Sequence, residues 1–478
     1  MLFAFFIPVD SYCQSEISVL DSSICKSILN LDLKHAQNIL DANSGSIPQL
    51  DKLVLLDKIE LIDILINEDK QSFNKAKENR SKRLSVINRY HDKNEANWAY
   101  AELYLNWALL RMRFNEYIMA AWEFNKAKKC IEKIDSNSKA FIKAQKAAGL
   151  LHSIIGVIPE QYKWISESLG FKGNIKQGLK ELNAFFQYMP KNSFFYSEGK
   201  ITLSIIHSYL NEDIPKGIRI LESLPHSLLT DYYKLILFNR SRNSDKFKYH
   251  LKKLNKNSAS LKIPYMHFLN GLDHLYRFDT SGISYFQKYI ETFKGNSYKA
   301  EAFQKMSWIS LANNDTSAYH KYIYLAKNSD ESQTDVDLNA KHVSLEIPDI
   351  TLLKSRILFD GGFYNISLDL IKDKSTNEFK SLHDKTELVY RAARNFHKLG
   401  ELKKAITYYK HTISYGKGLP DYFKGSAAYN MGNIYENQNE PEKAKQAYKQ
   451  CLSFKNYPYK RSFDIKAKAG LQRLYSYN

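Results

Sequence analysis

The chain of 478 residues is 44% hydrophobic, carries 33 tyrosines and 26 phenylalanines, and uses only 19 glycines and 11 prolines. Those figures exclude collagen-like and Pro/Gly-rich disordered classes and supply a large core, in about three domains or one elongated repeat array. The net charge of +18 sits mainly in residues 239–321 and 360–478, which favours acidic partners, although lysines on outward helix faces account for the same excess and no run of five like charges appears.

At the start, Leu2 to Val9 is a short apolar run, and Ser11 and Cys13 are small residues two apart, a spacing that suits cleavage before Gln14. Residues 1–13 are expected to be a signal peptide, with export to the periplasm or cell surface; a hydrophobic first helix of a cytoplasmic protein is the alternative. No positive n-region precedes the run, and Asp10 and Tyr12 break a lipoprotein pattern. No later stretch is long and apolar enough to span a membrane. With Cys13 removed, Cys25, Cys130 and Cys451 remain, a set with neither disulfide nor zinc spacing.

Residues 14–327 read as a degenerate helical-repeat array. Its front unit keeps Tyr104, Trp107-Ala108, Ala120, Phe124 and Ala127 at helical spacing. Residues 156–174 suggest an extra helix between repeats. In LGFKGNIKQGLKEL, residues 169–182, Gly170 stops a helix, Gly173-Asn174 turns the chain, and Gly178, Leu182 and Phe185 repeat a small-bulky-bulky spacing. Weaker copies follow at Gly217, Leu221 and Leu224; at Gly282, Phe286 and Tyr289; and at Ala318, Tyr322 and Leu325. Residues 328–349 are acidic and lack aromatics, so they read as a loop or linker before a C-terminal block, 350–478. That block holds the clearest units: Ala392-Ala393, Phe396, Gly400, Ala405, Tyr409 and Thr412, then Met431-Gly432, Tyr435, Pro441, Ala444, Tyr448 and Cys451. Small residues let antiparallel helices approach, and tyrosines fill the gaps beside them.

This pattern resembles the tetratricopeptide repeat, which implies an all-α right-handed superhelix of helical hairpins. Gly149, Ile158-Pro159, Leu169-Gly170-Phe171, Gly173, Gly178-Leu179 and Leu182, with Tyr390-Arg391-Ala392-Ala393-Arg394, resemble more narrowly the tetratricopeptide-repeat-39 family, which includes inclusion-body-clearance proteins. That resemblance implies a non-catalytic adaptor without cofactors. A secretory signal departs from the family's eukaryotic members, so their cytosolic roles do not carry over.

The chemistry-bearing motifs agree. The sequence has no Gly-x-x-x-x-Gly-Lys-Ser/Thr, no Gly-x-Gly-x-x-Gly after a strand, no His-Glu-x-x-His and no Gly-x-Ser-x-Gly. His267 and His274 lie two helical turns apart, about 10 Å, too far to share one ion unaided, so no metal site is expected. In tetratricopeptide superhelices the first helix of each pair lines the concave groove. Here that predicts a stripe of Tyr390, Arg394 and His397 beside Tyr429, Asn433 and Glu436, with Arg394 and Asn433 able to hold an acidic peptide. The expected function is a non-enzymatic scaffold binding a protein or peptide in its groove. One alternative is a surface glycan binder using Tyr422 and Tyr457 as platforms. The other is a nucleic-acid binder resting on interleaved basic and aromatic residues such as Tyr408-Tyr409-Lys410.

Overall fold

The computed structural model describes residues 19–156, 170, 173–332, 334–343 and 345–475. Residues 1–13, and Ile158, Pro159, Leu169 and Phe171 of the narrower family pattern, lie outside them. Among the described residues every regular element is a helix, and successive helices pair as antiparallel hairpins in an α-α solenoid.

One turn recurs. Asn115, Phe278, Asn314, Gly400 and Asn439 all have positive φ. The next residue then donates its backbone N–H five positions back: Glu116 to Arg111, Asp279 to His274, Asp315 to Ser310, Glu401 to Phe396 and Glu440 to Tyr435, at 2.9 to 3.0 Å. This six-to-one bond satisfies a carbonyl orphaned at the helix end and reverses the chain. In four of the five the acidic residue that follows, Glu116, Asp315, Glu401 or Glu440, is the N-cap of the next helix, where negative charge meets the positive dipole end.

Close packing follows from small residues. Gly149 and Gly178 face each other across the hairpin of Lys139–Ile155 and Ile175–Tyr188; a methyl on Gly149 would lie 2.7 Å from the Gly178 carbonyl oxygen. Leu182 and Phe185 are buried beside them, and Asn174 caps the second helix by accepting from Gln177 N at 2.8 Å. Ala444, Tyr448 and Cys451 are fully buried on one face. The weak copy near Ala318 is shifted by one position: the buried stripe is Tyr319, Tyr322, Ile323 and Ala326, while Ala318 and Leu325 are half-buried.

The expected loop at 328–349 contains a helix, Asp335–Lys341. Buried Asp337 accepts from Tyr298 N at 2.6 Å, Glu301 N at 2.9 Å, and the Ser332 and Thr334 hydroxyls at 2.6 Å each. The segment therefore docks by capping the helix Lys299–Ala312. Hydrogen bonds replace the apolar stripe whose absence suggested a linker, and one apolar core runs from Leu228 to Ile357 across it.

The last helix, Lys460–Tyr475, returns to the middle of the chain. Arg473 donates to Asn211 O at 2.9 Å and pairs with Glu436 at 2.6 Å, and Gln472 hydrogen-bonds Gly156 O. Arg461 pairs with Asp335 at 2.7 Å, and Ala469 packs among Ile175, Leu182, Leu203 and Ile206. Arg242–Asp360 at 3.0 Å and Arg113–Glu68 at 2.7 Å tie further distant turns. No helix among the described residues is long and apolar enough to cross a membrane.

Candidate functional site

Winding the chain on itself leaves a cavity of about 1560 Å³ whose lining runs from Ile62 to Arg473. Tyr390, Arg394, His397, Tyr429, Asn433 and Glu436 all line it. They do not form an exposed stripe. Tyr390 and Tyr429 are buried, 0% and 5% exposed. The reason is hydrogen bonding and ring packing: the Tyr390 hydroxyl lies 2.8 Å from Ser426 Oγ and accepts from Arg394 Nη1 at 2.7 Å, and the Tyr429 ring packs between Tyr448 and Phe463.

The others are partly engaged. Asn433 Oδ1 and Glu436 both accept from the Tyr448 hydroxyl, at 2.7 and 2.5 Å, and Glu436 is further held by Arg473. His397 Nδ1 is 3.2 Å from the Tyr409 hydroxyl; burial, then Lys398 and Arg394, push its pKa down to about 4, so the ring is neutral at ordinary pH. Among the described residues Arg394 has no carboxylate partner; its guanidinium lies 4.3 Å from the Phe359 ring.

The wall also takes in charged residues outside the predicted stripe. Lys305, Arg356, Asp360, Arg391, Lys398 and Lys466 line the same space. Of the lining residues, eleven are lysine or arginine and five are aspartate or glutamate, so the wall carries an excess of positive charge; eleven more are tyrosines. Burial opposes ionisation of Asp360, yet Arg242, Arg356, Lys305 and Arg391 outweigh it and hold the carboxyl well below the usual range. Lys398 is open to water but walled in by protein; burial, then Arg242 and Arg394, push its ammonium down to about 8. Desolvation with like charge nearby disfavours a charged amine.

The platforms of the glycan reading are not exposed on the outer surface. Tyr457 is 7% exposed, its ring seated in the space that side-chain-free Gly425 leaves. Tyr422 is half-buried, edge-on to Tyr390 and Tyr459. Tyr409 is fully buried as well, while its neighbour Tyr408 packs on Phe396. His274 pairs with Asp279 at 2.7 Å. His383, Asp384 and Glu387 bring ligand-type atoms within 4.8 Å of one another. However, Glu387 is taken by Arg391 at 2.6 Å, and hydrogen bonds that His383 donates to Asp421 and Glu387 hold it protonated up to about 10. That group is an ion cluster in which a metal would compete with a retained proton.

Residues 425–457 match the model of the tetratricopeptide repeat family, the unit whose pattern is clearest. No curated protein sequence matches the chain. Among solved structures it is similar to the APC/C hetero-tetramer Cut9–Hcn1, at 12% identity and a TM-score of 0.28, over 95% of this chain and 96% of that one. It is also similar to Naa15/Naa10 bound to HypK-THB, at 13% identity and a TM-score of 0.26, over 91% of this chain and 63% of that chain.

Proposed function

We propose that the protein is a non-enzymatic scaffold that takes an acidic protein segment into its central cavity. The observation that carries this is the excess of lysine and arginine over carboxylates in the lining. At about 1560 Å³ the space exceeds the roughly 300–1,000 Å³ of small-molecule pockets, so an extended peptide fits. Tyrosines supply rigid amphipathic contact area, and Arg394 supplies a planar fork for a carboxylate.

Fluorescence anisotropy with a labelled oligoglutamate and a labelled oligolysine tests this. Oligoglutamate should bind and oligolysine should not. Arg394→Ala should weaken oligoglutamate about tenfold with little change in thermal midpoint. Equal binding of both peptides, or of neither, overturns the reading. Binding of single-stranded nucleic acid that falls steeply with salt would favour the nucleic-acid alternative.

Two further points belong to the proposal. Kinship with the tetratricopeptide-repeat-39 family is supported by the Gly149–Gly178 approach, which gives two glycines of the shared pattern a packing role. Export is supported by the apolar run Leu2 to Val9 and the small residues Ser11 and Cys13. N-terminal sequencing of the mature protein should begin at Gln14, and a retained Met1 overturns export.

A further inference from the structure

The cavity's positive charge is concentrated where helix Ile350–Asp360 packs on helix Leu382–Lys398. Most cations there are matched. Arg391 has Glu387 at 2.6 Å, Arg242 has Asp360 at 3.0 Å, and Lys305 has Glu301 at 3.5 Å. Three are not. Arg356 lies over the Trp308 ring at 4.4 Å and makes no ion pair among the described residues. Arg394 lies over Phe359 and, among the described residues, donates only to the Tyr390 hydroxyl. Lys398, one turn on from Arg394, has no polar partner among the described residues. Arg356 and Arg394 both face the Asp360 carboxylate that Arg242 holds, and Lys398 faces Arg394 and Arg242.

Gathering unmatched cations inside protein walls is unfavourable unless a ligand supplies the counter-charge. Charge balance then selects its class. A lone carboxylate would leave two of the three cations unmatched, whereas a dianion leaves one, and that one is the lysine whose charge is already weakened. Two guanidinium forks suit the several oxygens of a phosphoryl group. Tyr422 and Tyr459, which line the cavity and meet edge-on at 5.4 Å, offer faces to an organic body attached to it.

We propose that Arg356, Arg394 and Lys398 form a seat for a phosphomonoester dianion presented by the ligand of the cavity, with the Tyr390 hydroxyl orienting Arg394. This rests on the cavity being the binding site.

Isothermal titration of the full chain with phenyl phosphate, phenyl sulfate, inorganic phosphate and oligoglutamate tests it. Phenyl sulfate has the same shape with one charge fewer. At neutral pH phenyl phosphate should bind at least about tenfold tighter than phenyl sulfate. That advantage should vanish below about pH 5, since the second phosphate proton has a pKa of about 6. Arg356→Gln and Arg394→Gln should each weaken phenyl phosphate about tenfold. Lys216→Gln, elsewhere in the lining, should change it less than about twofold. Where Arg356→Gln fails to fold, Arg356→Lys keeps the charge, loses the fork, and should still weaken binding. Equal affinity for phosphate and sulfate, or unchanged affinity in both arginine variants, overturns the seat. Inorganic phosphate binding as tightly as phenyl phosphate overturns the ester. If oligoglutamate binds while phosphate and sulfate are equal, the seat fails and the peptide reading stands. If phenyl phosphate binds selectively and oligoglutamate does not, the peptide reading fails and the seat stands.

Discussion

Between Gln49 and Ile205 the helices meet over buried charge, whereas between Phe423 and Tyr475 they meet over tyrosine set against glycine. In the first region Lys58 reaches Glu198 at 2.5 Å, Glu102 at 3.2 Å and Asn106 at 2.5 Å, and Lys146 shares the same two glutamates. Asp57 accepts from Trp107 at 3.1 Å and Asn106 at 2.8 Å and faces Arg83. In the second region Tyr448 is fully buried between Gly432 and Gly470, either of which would collide with its ring if it gained a methyl. Both regions use the same left-handed turn with its six-to-one bond. The turn fixes the hairpin, and the chemistry of the helix faces is then free to differ. A buried ionic lattice must repay its desolvation through good pairing and so adds little net stability for its size; tyrosine in a glycine notch adds apolar burial directly.

The sharpest break of this contrast is Lys58→Met, which leaves Glu102 and Glu198 facing Lys146 alone. It should cost about 3–5 kcal/mol, measured by urea unfolding. A loss under about 1 kcal/mol would mean that the lattice is solvated, as surface pairs are.

Acid comes next. Burial opposes ionisation of Glu198, yet Lys146 and Lys58 bring its pKa from 4.5 to about 2. A depressed folded pKa gives stability that is present above the unfolded value and lost as pH falls through the folded one. Loss between about pH 4.5 and 2 should therefore appear in the fluorescence of Trp98 and Trp107, and Glu198→Gln should flatten that window. The smallest effect tests the other region: Gly432→Ala should cost about 1–3 kcal/mol by overpacking against Tyr448, read from the thermal midpoint, and a neutral result would show that the ring can move.

The sequence made the second region legible because its packing is written in local spacing: Ala444, Tyr448 and Cys451 share a face through steps of four and three. The first region was harder to read. Lys58, Glu102 and Lys146 look like solvated helix charges, and nothing local shows that Glu198 closes over them. The cavity divides the same way. Helical period brings Tyr390, Arg394 and His397 to one side, but it does not reveal that Tyr390 is sealed by Ser426 on the next helix. Asp360 carries no local signal because its partner is remote; Arg242 and Asp360 are 118 positions apart.

The docking of helix Lys460–Tyr475 on Asn211 and Gly156 also bears on how such a chain can change over generations. An array with a free end tolerates duplication or loss of a unit, since each hairpin touches only its neighbours. Here a hairpin added or deleted between Arg242 and Tyr459 would carry Arg473 and Gln472 away from the carbonyls they hold. The clasp thus ties the number of hairpins between Asn211 and Arg473 to the closure it makes.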